Sequence, residues 1–268
     1  MQIITNKTHF IEIPQKRYSD EFLAQELGIP LICIAFYDNW VNINNNWYYY
    51  KKIKNDKMLI NELLGVEIAK FFDKSTVEYK VGTKNVDNQL KYCLLSQNFR
   101  KKEYEYMLVD ELEIPNYEAA TDSLINLENL RDLCKSAGEY NILLLEIFKM
   151  FVIDFYSDQE DRKTPNFMFE IKEDINLATL YDYADSFNNG DAKEIRNMLY
   201  FSDITSNSTL ELLQNHLVFY KLLKKILSIN IEELLKRISE QKNLSISSDL
   251  KEEYIAFDQK RKQLILNL

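Results

Sequence analysis

The residues best suited to chemistry lie in Asp161-Arg162-Lys163-Thr164-Pro165-Asn166-Phe167 and, further on, in Leu180-Tyr181-Asp182. Asp161 and Asn166 are five positions apart, and Asp182 is sixteen beyond. Phosphoryl transfer from a metal-bound nucleotide needs such a set. One carboxylate orients an attacking hydroxyl, while an amide oxygen and a second carboxylate hold cations that neutralise the transferring phosphate. A single D-x4-N carries little information in a chain rich in Asn, Asp and Glu. Its context carries more: an apolar helix pattern runs into it, the strand-like Phe167-Met168-Phe169-Glu170-Ile171 follows, and a second apolar segment ends in Asp182. That order puts the polar atoms at the mouth of a rigid scaffold.

The elements that must position these residues fall into two kinds. Residues 1–115 mix strands with one helix. Leu31–Phe36 has the length and apolarity of a strand, the Asn-rich stretch 39–46 is turn-prone, and Trp47–Ile53 reads as a second strand, which predicts a hairpin. Ile60, Leu63, Leu64, Ile68 and Phe71 recur at helical spacing, so a helix is expected over about 59–72. Val77–Val81 and Leu90–Leu95 are further strands. From about 116 the patterns are mostly helical: 123–136, 140–156, 191–200, 207–228, 230–241 and 248–265, with a small strand pair after Asn166. Asn230 before Ile231-Glu232-Glu233 is an expected N-cap.

Composition sets the outer limits. The 268 residues suit one large domain or two lobes of ~100–150 residues. Hydrophobic residues make up 46%, and only five Gly and four Pro occur, which favours long regular elements over disorder. The formal net charge of −9 disfavours non-specific nucleic-acid binding, which relies on Lys and Arg, so no direct nucleic-acid partner is expected. Cys33, Cys93 and Cys134 are scattered and odd in number, which is not a disulfide framework. With only His9 and His216, a zinc site is not expected. The N-terminal residues lack a signal-peptide core, and Ile142–Phe155 is interrupted by Glu146, Lys149 and Asp154. A soluble cytoplasmic protein without a membrane span is therefore the expectation.

A β-rich first part, a helical second part and an acidic set at their junction call for two more groups. A Lys on a first-part strand should hold nucleotide phosphates, and an acid on the next helix should hold that Lys. Lys51 or Lys52 is placed for the first role, and Glu62 for the second. Lys51 is the preferred lysine; adjacent strand residues point to opposite faces, so only one of the two can face the site.

At this level the sequence resembles the HipA-like kinases, a bacterial branch of the protein and phosphatidylinositol kinase fold. The similarity spans residues 30–190. It rests on Tyr48-Tyr49-Tyr50-Lys51, Leu59-Ile60-Asn61-Glu62-Leu63-Leu64 with Ala69-Lys70, the hinge-like Leu94-Leu95-Ser96-Gln97-Asn98-Phe99, Asp161-Arg162-x-x-x-Asn166-Phe167, and Leu177-Ala178-Thr179-Leu180-Tyr181-Asp182. The resemblance implies an α+β bilobal kinase fold: a small antiparallel sheet lobe with one helix (1–97) and a larger, mainly helical lobe (98–268). It also implies ATP and magnesium as cofactors and a phosphotransferase acting on a hydroxyl, most often Ser or Thr of a protein. By carry-over Asp161 is the catalytic carboxylate, Asn166 and Asp182 are metal ligands, and Lys51, Glu62, Leu95 and Ser96 belong to the nucleotide site. A nucleotide and a protein substrate are the implied partners, with a regulatory partner chain carrying what a shorter chain lacks.

The sequence departs from the family pattern in two places. Lys163 stands where the family usually has His, and the stretch 38–47 has no Gly, although close approach of backbone to phosphate favours it. Asn42, Asn44, Asn45 and Asn46 can substitute, since Asn tolerates positive φ. Two rival readings follow: a pseudokinase-type binding module, and a lipid or small-molecule kinase of the same fold.

Overall fold

The computed structural model describes residues 11–12, 19–27, 39–86, 89–101, 103–108, 140–159, 162, 166, 168–188, 190 and 217–267. The expected strand Leu31–Phe36, the helices over 123–136 and 191–200, and the first part of 207–228 lie outside them, as do both His residues, Cys33 and Cys134.

The first part is a five-stranded sheet. Its strands are β1 (Ile11–Glu12), β2 (Trp40–Ile43), β3 (Asn46–Lys52), β4 (Tyr79–Val86) and β5 (Gln89–Gln97), in the order β1-β4-β5-β3-β2. All pairings are antiparallel except β1 with β4. The hairpin is tighter than the sequence suggests. Trp40–Ile43, read as turn, is itself a strand, and the turn is only Asn44-Asn45, at φ 53° and 62°. Positive φ at both central residues suits the right-handed strand twist, and Asn is among the few side chains that accept it. β4 and β5 also run further than expected, to Val86 paired with Gln89, because ladder hydrogen bonds carry strands through polar residues. A short helix α1 (Asp20–Leu27) adds a second helix here, with Phe22 against Trp47 at 6.2 Å between ring centroids.

Helix α2 (Asp56–Phe71) starts where Asn55 accepts the Met58 amide at 2.8 Å, an N-cap followed by Asp56 in the first turn. Every residue from Leu59 to Ala69 is buried, including Asn61, Glu62 and Glu67. A helix buried all round has no solvent face, so its polar residues must find partners on other elements. Between the sheet and the helical part, β6 (Glu105–Leu108), unforeseen in the sequence, joins β7 (Met168–Ile171) and β8 (Ile175–Leu177) in an antiparallel sheet ordered β6-β7-β8.

The helical part comprises α3 (Tyr140–Ser157), α4 (Leu217–Lys225, running into a 3-10 turn at Ile226–Ser228), α5 (Ile231–Lys242) and α6 (Ser248–Leu266). Asn230 caps α5 as expected, its side chain accepting the Glu233 amide at 3.1 Å, and Asn243 ends that helix in the left-handed region. One hydrophobic core runs from α2 and the inner face of the sheet through α3 to α5 and α6. A smaller cluster of Val41, Tyr48, Tyr50, Cys93 and Leu95 covers the outer face. Among the described residues no helix is long and apolar enough to cross a membrane.

Candidate active site

The strand register separates the two candidate lysines. Lys51 lies opposite Leu94 on the α2 side of the sheet, whereas Lys52, opposite Cys93, is exposed. The Lys51 ammonium donates to two carboxylates, Glu62 on α2 and Asp182 after β8. Lys51 and Asp182 are 131 positions apart, so this contact joins the sheet to the segment that closes the sequence motif.

Glu62 is completely buried. Besides Lys51 it accepts the Tyr183 amide at 3.0 Å. Burial raises the Tyr79 phenol well above its ordinary range, and Glu62 and Asp182 reinforce this, so Tyr79 remains a protonated donor. Burial alone would lower the Lys51 ammonium, but Glu62 and Asp182 outweigh it and hold it above ordinary lysine. The proton stays on Lys51, and the cation sits between two acids.

Asp182 has φ 63°, and its side chain is 29% exposed, so it can reach a ligand from the open side. Gln159, just beyond α3, donates to its carbonyl at 2.5 Å. Upstream, Leu180 is tied to the segment after α2: its amide donates to Ser75 O at 3.0 Å, and its carbonyl accepts from the Val77 amide at 3.0 Å. Downstream, the Tyr183 ring lies directly on Gly65 of α2, where any Cβ would overlap it. Glycine is required there for close approach rather than for its backbone freedom.

The structure supplies a clamp for which the motif gave no role. Arg162 is fully buried. Its guanidinium donates to both oxygens of Asp154 on α3 at 2.9 and 3.0 Å, to Asn166 O at 3.2 Å and to Tyr181 O at 2.8 Å. It also stands 5.3 Å from the centroid of the Tyr183 ring. One planar fork thus fixes the backbone at Asn166 and immediately before Asp182, a geometry that lysine cannot reproduce. Burial alone would lower the guanidinium, but Asp154 outweighs it and holds it above the ordinary arginine range. The sequence signal for it is Asp154, an acid on the last turn of a very apolar helix, where it interrupts a hydrophobic run.

Asn166 is buried in a short turn. Asp161 and Lys163 lie outside the described residues. Leu95 is fully buried in the outer cluster, opposite Tyr50, so its side chain faces away from Lys51. Ser96 pairs with Tyr49 and with Tyr79 on the Lys51 face and is half-buried. Beyond it, Phe99 meets Tyr181 at 5.9 Å between ring centroids, bringing the segment after β5 against the Asp182 segment.

The donor chemistry fits a nucleotide-bound magnesium ion. Magnesium is typically held by one or two carboxylates together with substrate phosphates, and it prefers hard oxygen donors. Asp182 has a carboxylate with an open side, and Asn166 is a buried amide on the adjoining loop. Among the described residues no group of three His, Cys, Asp or Glu is placed to hold a metal ion.

The chain has a bilobal α+β kinase-like fold. It is similar to the Helicobacter pylori proinflammatory kinase CtkA over 85% of this chain and 90% of that one, with a TM-score of 0.62 and 17% identity. It is also similar to HipA of the Shewanella oneidensis MR-1 toxin–antitoxin system, solved with HipB and operator DNA, over 98% of this chain and 74% of that one, with a TM-score of 0.58 and 10% identity. No family model and no curated protein matches the sequence. At such identities the likeness is one of fold.

Proposed function

We propose that this chain is an ATP- and magnesium-dependent kinase that transfers the γ-phosphate to a hydroxyl, with Ser or Thr of a protein as acceptor. The observation that carries the reading is the double salt link of Lys51 to Glu62 and Asp182, which gathers a sheet lysine, a helix acid and the motif's last acid at one point. In this reading residues 1–97 form the nucleotide lobe and 98–268 the catalytic lobe. Lys51 binds the α- and β-phosphates, and Glu62 keeps its ammonium pointed at them. Ser96 and the backbone around Leu95 line the nucleotide edge. Asp161 orients the acceptor hydroxyl and takes its proton. Asn166 and Asp182 hold magnesium, which when bound neutralises charge on the phosphates.

The test is phosphotransfer from labelled ATP with magnesium, followed by mass spectrometry of the product, for wild type, Asp161→Ala and Asp182→Asn. Phosphate on Ser or Thr with wild type alone supports the reading, whereas transfer only to a lipid or small molecule changes the acceptor and keeps the chemistry. No transfer by wild type, with nucleotide still raising the melting temperature, makes the chain a binding module. Saturation at a hundredfold excess over Kd is worth about 2.7 kcal/mol, so a flat thermal shift at millimolar ATP removes the nucleotide site altogether.

A further inference from the structure

Asn61 precedes Glu62 on α2 and is buried in a place where a polar side chain must be fully satisfied. Its amide donates to Ala184 O at 2.9 Å and to Ser186 O at 2.7 Å. Its oxygen accepts the Tyr254 hydroxyl of α6 at 2.6 Å; that hydroxyl also lies 3.3 Å from Lys57 O. We infer that Asn61 and Tyr254 are positioning residues that hold the turn carrying Asp182 and so set the magnesium requirement of the site. The inference rests on the phosphotransfer reading above.

The turn needs such a strut. Asp182 and Phe187 both have left-handed backbone, at φ 63° and 59°, which non-glycine residues resist. The turn is tied at its ends by the Tyr183 amide on Glu62 and by the Phe187 amide on Ser157 O at 2.6 Å. Between them, the two carbonyls held by Asn61 fix the middle. A hydroxyl donor on Asn61 Oδ1 forces the amide nitrogen toward the turn, so Tyr254 chooses which way the amide faces. Burial holds the Tyr254 phenol well above its ordinary range, which keeps it a donor. The strut therefore passes from α6 through α2 to the turn, and the residue beside Asn61 is the one that grips Lys51. Supporting groups of this kind, behind a metal ligand, set its affinity by fixing orientation.

The experiment compares Tyr254→Phe with Tyr156→Phe. Tyr156 of α3 is a matched control: its buried hydroxyl donates to Asp258 of α6 at 2.6 Å rather than toward the turn, and the Phe variant keeps its ring packing. Both variants are expected to lower the melting temperature. Only Tyr254→Phe is expected to raise the magnesium concentration for half-maximal phosphotransfer, by about tenfold, with little change in KM for ATP. Adding Asn61→Ala to Tyr254→Phe should raise it little further, since the two act in series. An equal shift in both tyrosine variants, or none in either, overturns the inference. If wild type transfers no phosphate, the functional reading fails separately, and amide exchange over 183–187 decides the strut. Faster exchange in Tyr254→Phe alone supports it, and unchanged exchange overturns it.

Discussion

Replacing Arg162 with Met should be the most damaging single change in the described part of the site. The wild-type guanidinium satisfies both Asp154 oxygens and the carbonyls of Asn166 and Tyr181, at 2.8 to 3.2 Å, with no exposed surface on either partner of the ion pair. Removing one member of a buried pair costs about 3–5 kcal/mol because the other charge is left without compensation. Each orphaned carbonyl adds ~1 kcal/mol. Against a total stability of about 5–15 kcal/mol, the variant is expected to fold only marginally. Urea unfolding followed by the fluorescence of Trp40 and Trp47 measures the loss.

The pH dependence gives an independent check. Burial pushes the Asp154 carboxyl upward, and Arg162 is what pulls it back. Without Arg162 it rises further. A carboxyl raised on folding destabilises as pH climbs through its folded value, because the unfolded chain then releases the proton more readily. The deficit of Arg162→Met should therefore be largest at neutral pH and shrink toward pH ~5. Pairing it with Asp154→Leu removes the unpaired acid, which should recover most of the stability but not the phosphotransfer, since the loops at Asn166 and Tyr181 remain untied. A loss under ~1 kcal/mol for Arg162→Met, or recovery of activity together with stability in the double variant, would refute the clamp.

Other changes separate neighbouring residues. Lys51→Met should abolish phosphotransfer and destabilise by about 3–5 kcal/mol by leaving Glu62 buried without its cation, whereas exposed Lys52→Met should stay within ~0.5 kcal/mol of wild type with activity kept. Gly65→Ala would gain ~1 kcal/mol of helix propensity in isolation, but the overlap with Tyr183 should reverse the sign and cost about 1–3 kcal/mol in a thermal melt, with activity reduced through the displaced turn. In the hairpin, Asn45→Gly should leave stability unchanged or raise it by up to ~1 kcal/mol, and Asn45→Val should cost about 1–2 kcal/mol, because φ is 62° there.

What could be read from the sequence was the part governed by local rules. A turn within the Asn-rich stretch 39–46, the cap at Asn230 and a helix over about 59–72 follow from backbone preferences and hydrophobic spacing. Lys51 and Glu62 were legible as a pair, a strand lysine and an acid on the next helix, whereas the contact of Lys51 with Asp182 was not, because it joins residues 131 positions apart. Local rules did not show that Leu95 faces away from Lys51, since that depends on which strand lies opposite. They did not show β6 either, because its four residues become a strand only by pairing with β7, some sixty positions later. Nor did they give Arg162 and Asp154 to each other. A helical stripe marks which residues are buried, but for Asn61, Glu62 and Glu67 it does not say which distant groups satisfy them.

The same long-range bonds bear on how such a site could be controlled. Helix α2 carries Glu62, so a regulator that withdrew Glu62 from Lys51 would have to move α2. That helix is held from several sides at once: Arg237 of α5 reaches Glu67 at 3.3 Å, Glu253 of α6 meets Lys57, and Tyr254 meets Asn61. Just past its end, the nearly buried Lys74 meets Glu146 of α3 at 2.9 Å. The exposed pairs are each worth ~0–1 kcal/mol, so they steer rather than lock. The buried contacts at Asn61, Glu62 and Gly65 do the locking, because none can be lost without stranding a polar group or opening a gap in the core. Swinging α2 outward would break all three together, at a cost of several kcal/mol that a partner would have to return through its own contacts. A partner that covers the exposed side of Asp182, or competes with Lys51 for its carboxylate, faces no such cost. Control of access to Asp182 is therefore the cheaper route in this fold, and displacement of the helix the more expensive one.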